Sequence, residues 1–133
     1  MSKFSKITLG LAVLALTTVP ALAGGPSASC GTVSVATSMP VVTRGYTQGV
    51  SGLITNCSTG KARYGLEVSV KSSCGVEWCH VSARIPLDGG HSTLYSRSCP
   101  VPTNTCVGTS TVTSTLSNGG STLSTAATTF QVQ

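Results

Sequence analysis

The sequence predicts an all-β fold: a single antiparallel sandwich of about seven short strands, held by three disulfides. Three observations carry this. Apolar and polar residues alternate with period two in several stretches. The clearest is residues 63–71, where Tyr64, Leu66, Val68 and Val70 alternate with Arg63, Gly65, Glu67, Ser69 and Lys71. One apolar and one wet face is the pattern of a half-buried strand. No helical period occurs beyond the N-terminal leader. Finally, the six cysteines, Cys30, Cys57, Cys74, Cys79, Cys99 and Cys106, are an even set in a short chain of 133 residues.

The leader sets the compartment. Lys3 and Lys6 precede an uncharged apolar run, residues 7–19; Pro20 breaks it, and Ala21-Leu22-Ala23 has the A-x-A form of a cleavage site before Gly24. The run falls short of the roughly 20 residues a spanning helix needs. Residues 1–23 are therefore expected to be a secretory signal peptide and residues 24–133 one secreted domain, extracellular or periplasmic. No second long apolar run follows, so membrane insertion is not expected. In an oxidising compartment the cysteines read as disulfides. Cys74, Cys79 and His80 faintly resemble a zinc ligand set, but the chain has no C-x-x-C pair. No cofactor or metal is expected.

Past the leader, the basic residues Arg44, Lys61, Arg63, Lys71, Arg84 and Arg97 are scattered among the acids Glu67, Glu77 and Asp88. A nucleic-acid or anionic-membrane surface needs a basic patch or stripe, and none is visible. Charged residues make up only 8% of the chain, and Ser, Thr and Gly fill the polar positions. That composition suits an extracellular β domain coated in small hydroxyls.

The elements follow in order. Residues 24–29 are a flexible lead-in. Residues 32–36 (TVSVA) form a short strand with Val33 and Val35 on one side. Met39-Pro40 breaks it, and Arg44-Gly45 makes a turn. Residues 48–57 form the second strand, with Val50 and Ile54 facing the core and Gly49 and Gly52 weakening it or marking a bulge. The strand of residues 63–71 runs into CGVEWC, residues 74–79, which holds two cysteines and the only tryptophan. Val81, Ala83, Ile85 and Leu87 alternate next; Pro86 makes this an edge strand or its end. Asp88-Gly89-Gly90-His91 turns the chain into a strand at residues 92–98, with Leu94 inward. CPVPTNTC, residues 99–106, is a rigid loop. Residues 108–116 put Ser110, Val112, Ser114 and Leu116 on one face. Ser117-Asn118-Gly119-Gly120 is a hairpin turn, since Asn-Gly readily takes positive φ at both central positions, and residues 122–132 return with Ala126, Thr128, Phe130 and Val132 in phase. Leu123 falls out of phase, which implies a bulge.

VSGLITNCS (50–58), LEVSV (66–70), PLDGG (86–90), GTSTVTSTL (108–116) and FQV (130–132) resemble bacterial secreted immunoglobulin-like and fibronectin-III-like modules. Such modules show a V-x-G-x-V-x-N second strand and a G-x-Y-x-V-x-V sixth. The resemblance covers most of residues 32–132; Ser110 stands where the sixth strand usually has an aromatic. It implies an immunoglobulin-like sandwich, supplies no catalytic residues, and points to proteins that bind, space or assemble. In such a strand order, strand one starts where strand two ends, which implies a Cys30–Cys57 bridge. The other four cysteines then cluster. Local pairing, Cys74–Cys79 and Cys99–Cys106, is expected because short loops close easily; crossed pairing is the alternative. Each bridge stabilises by about 2–4 kcal/mol.

Chemistry finds little support. Glycoside hydrolysis needs two carboxylates across a cleft, and Glu67 lies on a strand's wet face. Asp88 and His91 lack a G-x-S-x-G nucleophile elbow and read as a turn. No glycine-rich phosphate loop leads from strand to helix. Asn56-Cys57-Ser58 matches a glycosylation sequon, but a bridged Cys57 and a bacterial-type leader argue against its use. The protein is therefore expected to be a non-catalytic secreted binding or structural domain, an envelope, coat or appendage component. The alternative is a small disulfide-stapled inhibitor or toxin-like effector acting through the rigid 99–106 loop. A protein or glycan partner is expected, and a structural subunit would self-associate through an edge strand. Trp78 either caps the core or anchors a partner, with Glu77 and His80 beside it. The binding pole is expected at residues 72–80 and 100–105, where Trp78 and Val101 give apolar surface and His80 and Asn104 polar handles. The first prediction concerns processing: exported protein starts at Gly24. N-terminal sequencing that finds Met1 on exported material contradicts it.

Overall fold

Residues 30–133 are described by a computed structural model; the expected signal peptide, its cleavage site and the lead-in lie outside them. Nine strands and no helix occur among the described residues: β1 Gly31–Val33, β2 Ala36–Thr37, β3 Val41–Val42, β4 Thr47–Asn56, β5 Ala62–Lys71, β6 Glu77–Leu87, β7 Ser92–Pro100, β8 Gly108–Asn118 and β9 Ser121–Val132. One sheet has the order β3-β9-β8-β5-β6. In the other, β4 pairs with β1 and β2 on one side and with β7 on its other. Both sheets feed one core, built from Val50 and Ile54 of β4, Tyr64 to Val70 of β5, Tyr95 of β7, Val112 and Leu116 of β8, and Phe130 of β9. Gly31–Gln133 forms one compact unit.

Two differences from the expected strand set have local causes. The first expected strand is split into β1 and β2, and a further strand, β3, follows the Met39-Pro40 break. The count is therefore nine rather than about seven. The pairing is also not wholly antiparallel, because β3 runs parallel to β9, with Val41 opposite Gln131 and Val42 opposite Val132. The chain changes sheet at residues 38–40, and Gln48 holds it there. The Gln48 side chain is fully buried. Its Oε1 accepts from Ser38 Oγ and the Met39 N–H, and its Nε2 donates to the Met39 carbonyl at 2.8 Å.

The β1–β2 split is caused by Tyr95. Leu94, expected inward, is 77% exposed, while Tyr95 is 4% exposed. Its hydroxyl donates to the Ser34 carbonyl at 2.6 Å and lies 2.8 Å from Ser114 Oγ in the opposite sheet. The Ser34 carbonyl is thereby taken from the ladder, and Ser34 Oγ accepts the Leu53 N–H at 2.8 Å in its place. Gly52 makes this possible. A Cβ there would lie 1.9 Å from the Ser34 carbonyl oxygen and 2.6 Å from the Tyr95 ring. The glycine marks a close approach rather than a bulge, and β4 pairs with β7 without a register shift from Thr47 to Thr55. The bulge expected near Leu123 is present, as a register shift between Thr122 and Ser124 that lets Leu123 pack on the core. β6, which contains Pro86, is an edge strand as its proline requires.

The expected local disulfides are replaced by crossed ones, Cys74–Cys106 and Cys79–Cys99. Cys79 sits within β6 opposite Val70, and the buried Cys99 sits within β7 opposite Gln48. These strands belong to different sheets, so the bridge pins one sheet to the other. Cys74, in the β5–β6 turn, reaches the loop before β8 instead. Loop-closure entropy favours the short pairing, but the strands had already fixed which sulfurs meet. Cys30 and Cys57 are also disulfide-bonded, which completes three bridges.

Asn56 organises the other pole. It is fully buried, and its Nδ2 donates to the carbonyls of Leu87 (2.8 Å) and Gly60 (3.0 Å) while its Oδ1 accepts the Ser58 N–H. An amide so engaged is closed to glycosylation. Replacing it with alanine strands several buried backbone groups, each costing about 1–3 kcal/mol. Asn56→Ala is therefore expected to lower unfolding free energy by about 3 kcal/mol in a urea titration. A loss below about 1 kcal/mol would show that the turns at this pole do not depend on the amide.

Candidate functional site

The crossed disulfides gather three loops at one pole. The β5–β6 turn, residues 72–76, closes through Ser72, whose N–H donates to the Val76 carbonyl and whose carbonyl accepts from Gly75, at φ 83°. Ser73 Oγ donates to the Val107 carbonyl at 2.6 Å, tying this turn to the loop before β8. That loop is held in turn by residues 43–46, through Gly45 N–H to the Val101 carbonyl and Val101 N–H to the Tyr46 carbonyl. The Arg44 guanidinium reaches the Thr105 carbonyl at 3.5 Å. Backbone bonds and two disulfides therefore leave these loops little freedom.

The expected site residues separate into two groups. Trp78 and Asn104 come together, with Ser72, Cys74, Val76, Pro102 and Cys106, around a pocket of about 180 Å³. Trp78 is half-buried and meets Phe130 edge-to-face, with centroids 6.1 Å apart and planes at 85°. It is thus both pocket wall and part of the core, and replacing it with alanine removes packing as well as surface. Its indole Nε1–H is buried without an acceptor among the described residues. Val101 is a correction: it is 2% exposed and supplies no surface. The proline-rich loop folds inward at this residue because its N–H and carbonyl both pair with the 43–46 turn. The exposed apolar residues of the pole are instead Tyr46 (68%), Val76 (60%) and Val107 (53%). Sequence reasoning missed them; Val76 and Val107 are apolar residues in turns beside cysteines, a weak signal of surface kept apolar.

Glu77 and His80 form the second group, on the outer face of β6. His80 Nδ1 lies 2.8 Å from Glu77 Oε2, and Nε2 lies 2.8 Å from Glu67 Oε1. Both ring nitrogens face carboxylates, which favours the doubly protonated imidazolium. Ser69 Oγ donates to Glu77 Oε2 and Ser82 Oγ to Glu67 Oε2, so Glu67 is part of a network and not a lone solvated charge. The Glu77 carboxylate, then that of Glu67, raises the His80 pKa; the Ser69 hydroxyl, then His80, lowers that of Glu77. Asp88 and His91 form the expected turn, with His91 N–H donating to the Asp88 carbonyl. Among the described residues no group of three or more His, Cys, Asp or Glu is placed to hold a metal.

No family model and no curated protein matches the chain. Solved structures share its fold at low identity. An alkylpurine DNA glycosylase of Pseudomonas fluorescens bound to DNA is similar at a TM-score of 0.61 and 13% identity, over 80% of this chain and 31% of that one. The CARDB domain of a Pyrococcus furiosus protein, in complex with di-metal ions, is similar at 0.60 and 11%, over 79% and 89%. A Bacteroides uniformis β-glucuronidase is similar at 0.58 and 18%, over 73% and 12%. The chain thus spans under a third of the glycosylase and about an eighth of the glucuronidase. These likenesses concern fold alone, and they agree with the β-sandwich resemblance seen in the sequence.

The cluster has a definite pH dependence. Because the His80 pKa is raised in the fold, its pairing stabilises in full below about pH 6.5 and is lost as pH rises through the folded value. Because that of Glu77 is lowered, its contribution holds above about pH 4.5 and is lost as pH falls. An NMR titration of His80 is expected to give a midpoint above 6.5, restored to the ordinary histidine range by Glu77→Gln with Glu67→Gln. A wild-type midpoint at or below 6.5 contradicts the network.

Proposed function

We propose that the chain is a secreted, non-catalytic immunoglobulin-like module, a binding or structural component of an envelope, coat or appendage, that docks a protein or glycan partner on the disulfide pole. The observation that carries this is the pole itself. Two disulfides hold the 72–76 turn and the 99–107 loop together there: Val76 lines a pocket walled by Trp78, and Val107 and Tyr46 are exposed on the joined segments. Apolar side chains held out by a rigid frame lower the ordering cost of binding. Three disulfides suit an oxidising compartment, extracellular or periplasmic. The inhibitor reading draws less support. A canonical-type inhibitory loop projects as a unit, whereas residues 99–106 are bridged to two other segments and bury Val101.

The test is a binding screen against arrayed glycans and purified envelope polymers, run with wild type and with Val76→Asp/Val107→Asp. Both side chains are exposed, so the melting temperature is expected to move by only a few degrees. Binding of a recognised ligand is expected to fall by about tenfold or more. A ligand bound equally by both forms removes the pole as the docking site, and inhibition of a protease panel by the wild type favours the alternative.

A further inference from the structure

We infer that β6 is a homodimerisation edge: two copies pair their β6 strands antiparallel about a two-fold axis at Ser82, joining two sheets into one. This inference is independent of the pole reading and rests on what β6 presents.

β6 is the long open edge of the five-stranded sheet; the opposite edge, β3, has two residues. Pro86 fixes which backbone groups are free. A proline fits an edge strand where its nitrogen faces away from the neighbouring strand. His80, Ser82 and Arg84 share its phase, so their N–H and C=O groups also face outward, available to another strand. On the inner side, Val81, Ala83 and Ile85 are only partly buried, leaving apolar surface at the flank.

Charge selects the occupant. Glu77 and His80 of β6, with Glu67 of the neighbouring β5 opposite Ser82, form an exposed cluster that is net negative even with the imidazole protonated. Arg84 lies at the other end of the same face, exposed, with no hydrogen bond or ion pair to any described residue. With Ser82 on the axis, Arg84 of the second copy stands opposite His80, whose charge is already offset by Glu77 and Glu67, and its long side chain reaches the diagonal Glu77 carboxylate. Each end of the strand is then complemented by the other end of an identical strand. On the inner side, Val81 meets Ala83 and Ile85 meets Cys79, which covers the flank. The other long edge, β7, offers no such match: Arg97 is its one charged residue. Because the pairing is two-fold, each copy uses up its own edge, and the assembly closes at two.

Sedimentation equilibrium of the mature protein is expected to show a monomer–dimer equilibrium that weakens at high salt. Arg84→Glu and Glu77→Arg are each expected to raise the dissociation constant about tenfold, and the two together to restore much of the loss. Ser82→Pro, whose ring replaces an outward N–H, is expected to abolish the dimer while keeping the melting temperature. A protein that stays monomeric up to about 1 mM, the weak limit of specific affinity, overturns the inference. So does a dimer unmoved by either charge variant, whatever Ser82→Pro does to folding.

Discussion

The Cys79–Cys99 bridge is the constraint on which the rest of this molecule most depends. It joins β6 of one sheet to β7 of the other, at the flank where the smaller sheet has no further strand to cover the larger. Apart from its ladder with β5, β6 is held on the core by Leu87 and by the partly buried Trp78, Val81 and Ile85. With the bridge, Trp78 is pressed against Phe130, and the turn before β6 is aimed at the loop before β8, where Cys74 and Cys106 meet. The pole and the edge strand thus both adjoin this bond.

Buried polar side chains do what large hydrophobes do elsewhere. The core is mostly valine, with few aromatics, and it specifies its partners through hydrogen bonds. Gln48 fixes where the chain leaves one sheet for the other, Asn56 joins the turns at the far pole, and Tyr95 links β7 to Ser34 and across to Ser114. Each would be costly to leave unpaired, so each penalises alternative registers more than a valine could. Small hydroxyls in the core, Ser110 and Ser114 on β8, leave room for rings from neighbouring strands.

Most of the fold was legible in the sequence because its signals are local. Period-two alternation located the long strands, the 117–120 turn signal the last hairpin (its two turn residues are Gly119 and Gly120, with Asn118 still in β8), and Leu123 its bulge. The errors share a cause: each was decided by residues far apart in the chain. In residues 92–98, alternation offered either Leu94 or Tyr95 to the core, and hydrophobicity chose leucine. The choice was made instead by Gly52, which clears space for the ring, and by Ser34 and Ser114, which receive its hydroxyl. The disulfide pairing turned on which strands lie across the flank, and Val101 was buried by a turn more than fifty residues before it. Of the site, strand order placed residues 72–76 and 100–105 at one pole, whereas the crossed bridges that tie them, the separate position of Glu77 and His80, and the exposure of Val76 and Val107 needed the packed structure.

Charge and exposed apolar groups are both restricted to parts of the surface. Outer faces of β4, β7, β8 and β9 are mostly Ser and Thr, interrupted by the exposed cross-strand pair Leu53–Leu94. Against that background the pole concentrates exposed apolar groups, and β6 concentrates paired charge of both signs along one edge. Edge strands usually carry charge to repel other strands. Here Glu77 and Arg84 lie on opposite sides of Ser82, so a parallel in-register neighbour sets like against like, while the two-fold antiparallel register brings Glu77 of one copy within reach of Arg84 of the other. The same residues that discourage open-ended aggregation are thus compatible with a pair that closes on itself.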